Sequence, residues 1–151
     1  MGVPILAAHF FVFYFGIVAD ITPPVALAAY AGSAIAKSNP MRTAFNASKM
    51  AIAAFIIPYM FCYNPAMLMI DTNMLTVLQI AVTAFIGLFG VAAALEGYYF
   101  ASMNPLIRVA LAAGGLLMIY PGIFTDIIGI VMVVGSLAFQ YMLSKGKKAA
   151  V

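Results

Sequence analysis

The sequence predicts an all-α protein embedded in a membrane, and three observations carry that prediction. First, 66% of its residues are hydrophobic and only 7% are charged, where a soluble domain carries about a quarter charged residues. Second, its mean hydropathy is +1.13. Third, several apolar runs approach or exceed the roughly 20 residues that a helix needs to cross a bilayer. Lipid offers no water to an unpaired peptide group, so a run of this kind must be helical.

The first run covers residues 3–19, breaks at Asp20-Ile21-Thr22-Pro23-Pro24, and resumes to residue 36 ahead of Lys37-Ser38-Asn39-Pro40. As one helix, residues 3–36 would extend about 51 Å at about 1.5 Å each, against a hydrocarbon core of about 30 Å. That is too long for one upright span and too short for two. A broken helix unwound at Asp20–Pro24 fits; a re-entrant hairpin with DITPP at its tip is the competing geometry. Residues 41–70 read as one long helix kinked at Pro58 and closing at Tyr63-Asn64-Pro65. Residues 74–95 form an uninterrupted span. After Glu96 and its aromatic neighbours come 105–119, the break YPGIFTD, and 127–143, with Thr125-Asp126 read as a turn and N-cap. Gly87, Gly90, Gly114 and Gly115 suit close helix approach.

Counting 3–36 as one crossing gives five crossings. All seven basic residues then fall on one side, with Lys37, Arg42, Lys49, Arg108, Lys145, Lys147 and Lys148 together and Asp71 and Asp126 opposite. Positive charge marks the cytoplasmic face, so the N-terminus is expected outside and the C-terminus inside. Tyr98, Tyr99 and Tyr141 would lie at the inner interface.

Several function classes receive no support. A net charge of +3 is too small and too localised for nucleic acid. Cys62 is the only cysteine, which excludes an intramolecular disulfide. The N-terminus lacks the basic region and cleavage site of a signal peptide. No nucleophile–base arrangement, phosphate loop or intramembrane protease signature is present, so the protein is expected not to be an enzyme. His9 reads as a packing or interfacial residue.

DITPP is the stretch with chemistry. Proline has no amide hydrogen and cannot close the helical bond to the carbonyl four residues earlier. Pro23 is therefore expected to free the Ala19 carbonyl, and Pro24 that of Asp20. Residues preceding proline are pushed out of the helical region. Bare carbonyls, the Thr22 hydroxyl and the Asp20 carboxylate would gather, an oxygen set suited to a hard cation such as Na⁺. A carboxylate at helix centre costs about 2.5–3.5 kcal/mol on insertion scales, and secondary transporters build ion sites where broken half-helices meet. A structural kink, in a membrane scaffold or regulatory protein that transports nothing, is the alternative.

The stretch from His9 to Leu68, with Gly16, TPPVALAAYA and PYMFCYNPA in order, closely resembles the large membrane subunit of tripartite ATP-independent periplasmic (TRAP) transporters. The nearest form is the fused permease associated with TAXI-type binding proteins. The resemblance implies a multi-pass protein of the bacterial inner membrane that imports organic acids on a Na⁺ gradient. Its partners would be a periplasmic solute-binding protein, a carboxylate solute, the bilayer and the N-terminal transmembrane part of the permease. Residues 1–70 would form the C-terminal part of the transport repeat, and 71–151 an extension of three transmembrane helices. The chain is thus expected to be a C-terminal portion that does not transport alone. Carried over by position, the broken helix assigns Gly16, Thr22, Pro23 and Pro24 to the ion and substrate site. Ala19 joins them on the oxygen argument and Asp20 mainly on the cost of placing a carboxylate at helix centre, with Na⁺ expected at Ala19, Asp20 and Thr22.

Overall fold

The computed structural model describes residues 2–120 and 122–149, leaving aside the side chains of 143, 144 and 146–149. Pro121, in the break after residue 119, and the side chains of Lys147 and Lys148 therefore lie outside what is described. Among the described residues the elements are helices, apart from one two-stranded ribbon, and the chain divides into two compact units, Met1–Ile70 and Asp71–Val151.

The first unit contains α1 (Ile5–Ala19), α2 (Leu27–Ile35), α3 (Pro40–Met50), α4 (Ile52–Tyr63) and a 3₁₀ turn (Pro65–Leu68). Asn39 starts α3 by accepting the Arg42 amide at 3.0 Å, and Pro40 supplies a first-turn residue that needs no bond. One face of α1 meets α4 through aromatic rings. Phe11 stacks edge-on to Tyr59 at 5.1 Å, Phe10 lies 5.6 Å from Phe61, and Phe15 touches both Phe55 and Tyr59. α2 packs on α3 where Ala26, Ala29 and Ala44 are buried together.

The expected single helix over 41–70 is instead two helices bent by 41° at Ala51, with Pro58 buried inside α4. The partners explain the position of the bend. Polar α3 follows α2, whereas apolar α4 follows α1. This bend falls where the chain changes neighbour.

The second unit contains α5 (Met74–Glu96), the ribbon β1–β2 (Tyr98–Tyr99 with Ala101–Ser102), α6 (Pro105–Leu117) and α7 (Ile123–Ala149). α6 packs against both α5 and α7. Glycines set these distances: a Cβ on Gly87 would stand 2.8 Å from the Gly115 carbonyl oxygen, and one on Gly90 would stand 3.0 Å from Val133. Gly129, which the sequence reading passed over, faces Gly114 and Met118 in the same way. Gly97 ends α5 in the left-handed region at φ +70°. Arg108 closes that end, donating from Nε to the Ala94 carbonyl at 2.8 Å and from Nη2 to Leu95 at 3.2 Å. The buried Gln140 amide holds the ribbon through the Ala101 and Ser102 carbonyls, each at 3.2 Å. Phe100 and Tyr141 are in ring contact nearby, with the Lys145 ammonium 4.9 Å from the Tyr141 ring centre.

Thr125 does not cap α7 from outside. It lies in the first turn, and its one hydroxyl proton is shared between the Tyr120 and Gly122 carbonyls, at 2.9 and 2.7 Å.

By length and composition, α5 and the 20 residues Ile123–Met142 of α7 can each cross a membrane, and α3 with α4 makes a third span if the bent pair counts as one. The expected five crossings also needed residues 3–36, which hold α1 and α2, and α6; α1 and α6 are the longer apolar helices of these. These are apolar but only 15 and 13 residues long, rising about 22 and 20 Å at about 1.5 Å per residue.

Candidate functional site

The break between α1 and α2 occupies Asp20 to Ala26. α1 winds down in a tightened turn, with the amides of Asp20, Ile21 and Thr22 donating to the carbonyls of Ile17, Val18 and Ala19, each at 3.2 Å. The Pro23–Pro24 peptide is cis, and Ala26 opens α2 from the left-handed region at φ 40° with its side chain fully buried.

The carbonyls expected to be bare are not bare. The Ala26 amide bonds to the Ala19 carbonyl at 3.2 Å and to that of Thr22 at 3.0 Å, while the Ala28 amide reaches the Asp20 carbonyl at 2.9 Å. The physical reason is a matching of two deficits. The last carbonyls of α1 and the first amides of α2 both lack intrahelical partners. The chain folds so that each supplies the other.

Three hydroxyls fasten the same segment. Thr22 Oγ1 donates to the Val18 carbonyl at 2.7 Å, Tyr30 to that of Pro24 at 3.1 Å, and Ser48 on α3 to that of Ile21 at 3.1 Å. Sequence reasoning missed Tyr30 and Ser48. The available signal was the small-residue face Ala44, Ala47 and Ser48, spaced so that α3 can come close to another element.

The residues expected to form the site divide accordingly. Ala19, the last residue of α1, and Thr22 and Pro23 in the break are half-buried, whereas Asp20 and Pro24 are exposed along its rim. Gly16 lies one turn earlier on α1, exposed, with nothing within 4 Å of where a Cβ would stand. It is not brought against the break. With His9, Val12 and Phe13 it shares an open face of α1, where Val12 and Phe13 are 72% and 61% exposed.

The oxygen chemistry suits a hard cation in part. The Thr22 hydroxyl donates to the Val18 carbonyl, so its oxygen lone pairs remain acceptors, and Asp20, two residues earlier, is exposed. The Ala19 carbonyl already accepts from two amides, so a cation there must displace one of them. Among the described residues, no group of three or more His, Cys, Asp or Glu could hold a transition metal.

Neither a curated protein nor a solved structure matches the chain. The family profile of the tripartite ATP-independent periplasmic transporter, DctM component, matches residues 1–77. That match takes in α1 to α4, the whole break and every residue considered above for the site. The chain belongs to the DctM family, the large membrane component of the TRAP secondary transporters.

Proposed function

We propose that this chain forms part of the membrane domain of a Na⁺-driven TRAP transporter for carboxylate solutes. In this reading Asp20 and Thr22 contribute to the coupling-ion site, Ala19, Pro23 and Pro24 shape its surroundings, and Gly16 acts from the open face of α1, one turn away. The remaining transmembrane helices come from the rest of the permease, and a periplasmic binding protein delivers the solute. The protein lies in the inner membrane with its N-terminus outside and its C-terminus in the cytoplasm.

The observation that carries the proposal is the interruption itself, held in place by hydroxyls and placing a carboxylate at its rim. A carboxylate solute approaching Asp20 meets a like charge. A Na⁺ ion between Asp20 and Thr22 would neutralise it, which ties solute binding to the ion and gives coupling a physical basis. The scaffold alternative draws on the other side of the geometry, the internal satisfaction of the Ala19 and Asp20 carbonyls.

Uptake of radiolabelled mono- and dicarboxylates into proteoliposomes holding the assembled transporter and its binding protein separates the two readings. Transport should require an inward Na⁺ gradient, and Asp20→Asn or Thr22→Ala should raise the half-saturating Na⁺ concentration. Uptake indifferent to Na⁺, or unchanged by both substitutions at equal protein level, would overturn the assignment.

A further inference from the structure

Ser48 is the residue that ties the break to a different helix. Its hydroxyl lies 3.1 Å from the Ile21 carbonyl oxygen and 3.0 Å from that of Ala44. A hydroxyl has one proton to give, so these two acceptors compete for it. The Ala44 bond is the ordinary one of a serine to its own helix, four residues back. The Ile21 bond spans 27 residues of chain and joins α3 to the unwound segment.

The peptide that receives this bond is held at both polar ends. Its carbonyl, from Ile21, accepts from Ser48; its amide, from Thr22, donates to the Ala19 carbonyl at 3.2 Å. Two anchors fix the plane of that peptide and so the direction in which Cα of Thr22 leaves it. The buried alanines of α2 and α3, Ala26, Ala29 and Ala44, keep the two elements close enough for the bond to form.

We propose that Ser48 is a positioning residue for the ion site. Its bond to Ile21 aims the Thr22 hydroxyl oxygen, and rotation of the Ser48 hydroxyl to donate wholly to the Ala44 carbonyl releases the segment. The inference rests on the ion-site role proposed for Thr22, and its test is arranged so that each can fail alone.

The test is equilibrium binding of ²²Na⁺ to the assembled transporter, with choline holding ionic strength constant. Ser48→Ala should raise the Na⁺ Kd about two- to tenfold, the range one net hydrogen bond supports, with binding capacity unchanged. Ser48→Thr keeps the hydroxyl and should bind as the parent does. An unchanged Kd in Ser48→Ala overturns the proposal. So does a lower capacity at the original Kd, which would assign Ser48 to folding alone. Thr22→Ala distinguishes the failures: if it shifts Kd while Ser48→Ala does not, the ion site stands and the Ser48 role falls. If neither shifts it, the ion site itself is wrong. Should Ser48→Ala be lost from the membrane, Ser48→Cys offers a weaker donor of similar size. An intermediate Kd there supports the role, and the parent Kd refutes it.

Discussion

The α5–α6 contact allows a prediction of opposite signs from one chemical change, glycine to alanine. At Gly115 a Cβ would stand 2.5 Å from the Gly87 carbonyl oxygen, 2.8 Å from Val91 Cγ2 and 3.0 Å from the Val91 amide nitrogen. Two of these are backbone atoms, which cannot rotate aside. The helices must separate by about 1 Å to restore a normal contact, and a gap of that size forfeits about a quarter to a half of each dispersion well along the seam. Overpacking costs about 1–3 kcal/mol, and the rigid neighbours place Gly115→Ala at the upper end. Helix propensity returns about 1 kcal/mol, leaving a net loss of about 1–2 kcal/mol. At Gly135, also mid-helix, nothing lies within 4 Å of the added carbon. There the propensity term acts alone, and Gly135→Ala should be neutral or more stable by up to about 1 kcal/mol. Unfolding of the full chain in mixed micelles by increasing SDS fraction, followed by far-UV circular dichroism, measures both. Because Gly87 and Gly115 face each other, the double alanine variant should depart from additivity. Equal stability of the Gly115→Ala and Gly135→Ala proteins would falsify the close-approach account.

Other substitutions test separate parts of the molecule. Arg108→Lys should destabilise the second unit by about 1–2 kcal/mol in the same titration, since an ammonium cannot reproduce a fork bonded to two carbonyls. Gln140→Leu removes a buried amide and leaves the part-buried Ala101 and Ser102 carbonyls without that donor. It should cost about 1–3 kcal/mol and speed amide exchange through residues 98–103. Gly16→Ala should leave the chain as stable or more so, having open space around it. If the rest of the transporter occupies that face, the same change lowers solute uptake at unchanged expression.

Much of the architecture was legible wherever a signal is local. Consecutive prolines at 23 and 24 lack amide donors, and the helix ends there. Asn39-Pro40 and Asn104-Pro105 start helices through their own side chains, the latter pair with Asn104 accepting the Leu106 amide at 3.2 Å. What escaped the sequence is what distant residues decide. The Ala19 and Asp20 carbonyls were expected bare because only the missing proline amides were considered; their partners, Ala26 and Ala28, become available only once the chain has turned. Ser48 could not be paired with Ile21 from spacing, since no periodicity links positions on separate helices. The 41° bend at Ala51 was not expected, because a missing bond at Pro58 is visible in a sequence and a change of packing partner at Ala51 is not.

The mutual satisfaction of the two helix ends has a consequence for any carrier that must shuttle. Part of such a cycle is made with no cargo aboard, and at that moment stripped peptide dipoles facing hydrocarbon would raise the barrier to the return stroke. Here the amides of Ala26 and Ala28 already occupy the oxygens of Ala19 and Asp20. In a carrier of the proposed kind, the main chain of the break would therefore stay quenched on the return stroke, and an arriving ion would exchange with an internal bond instead of filling a void.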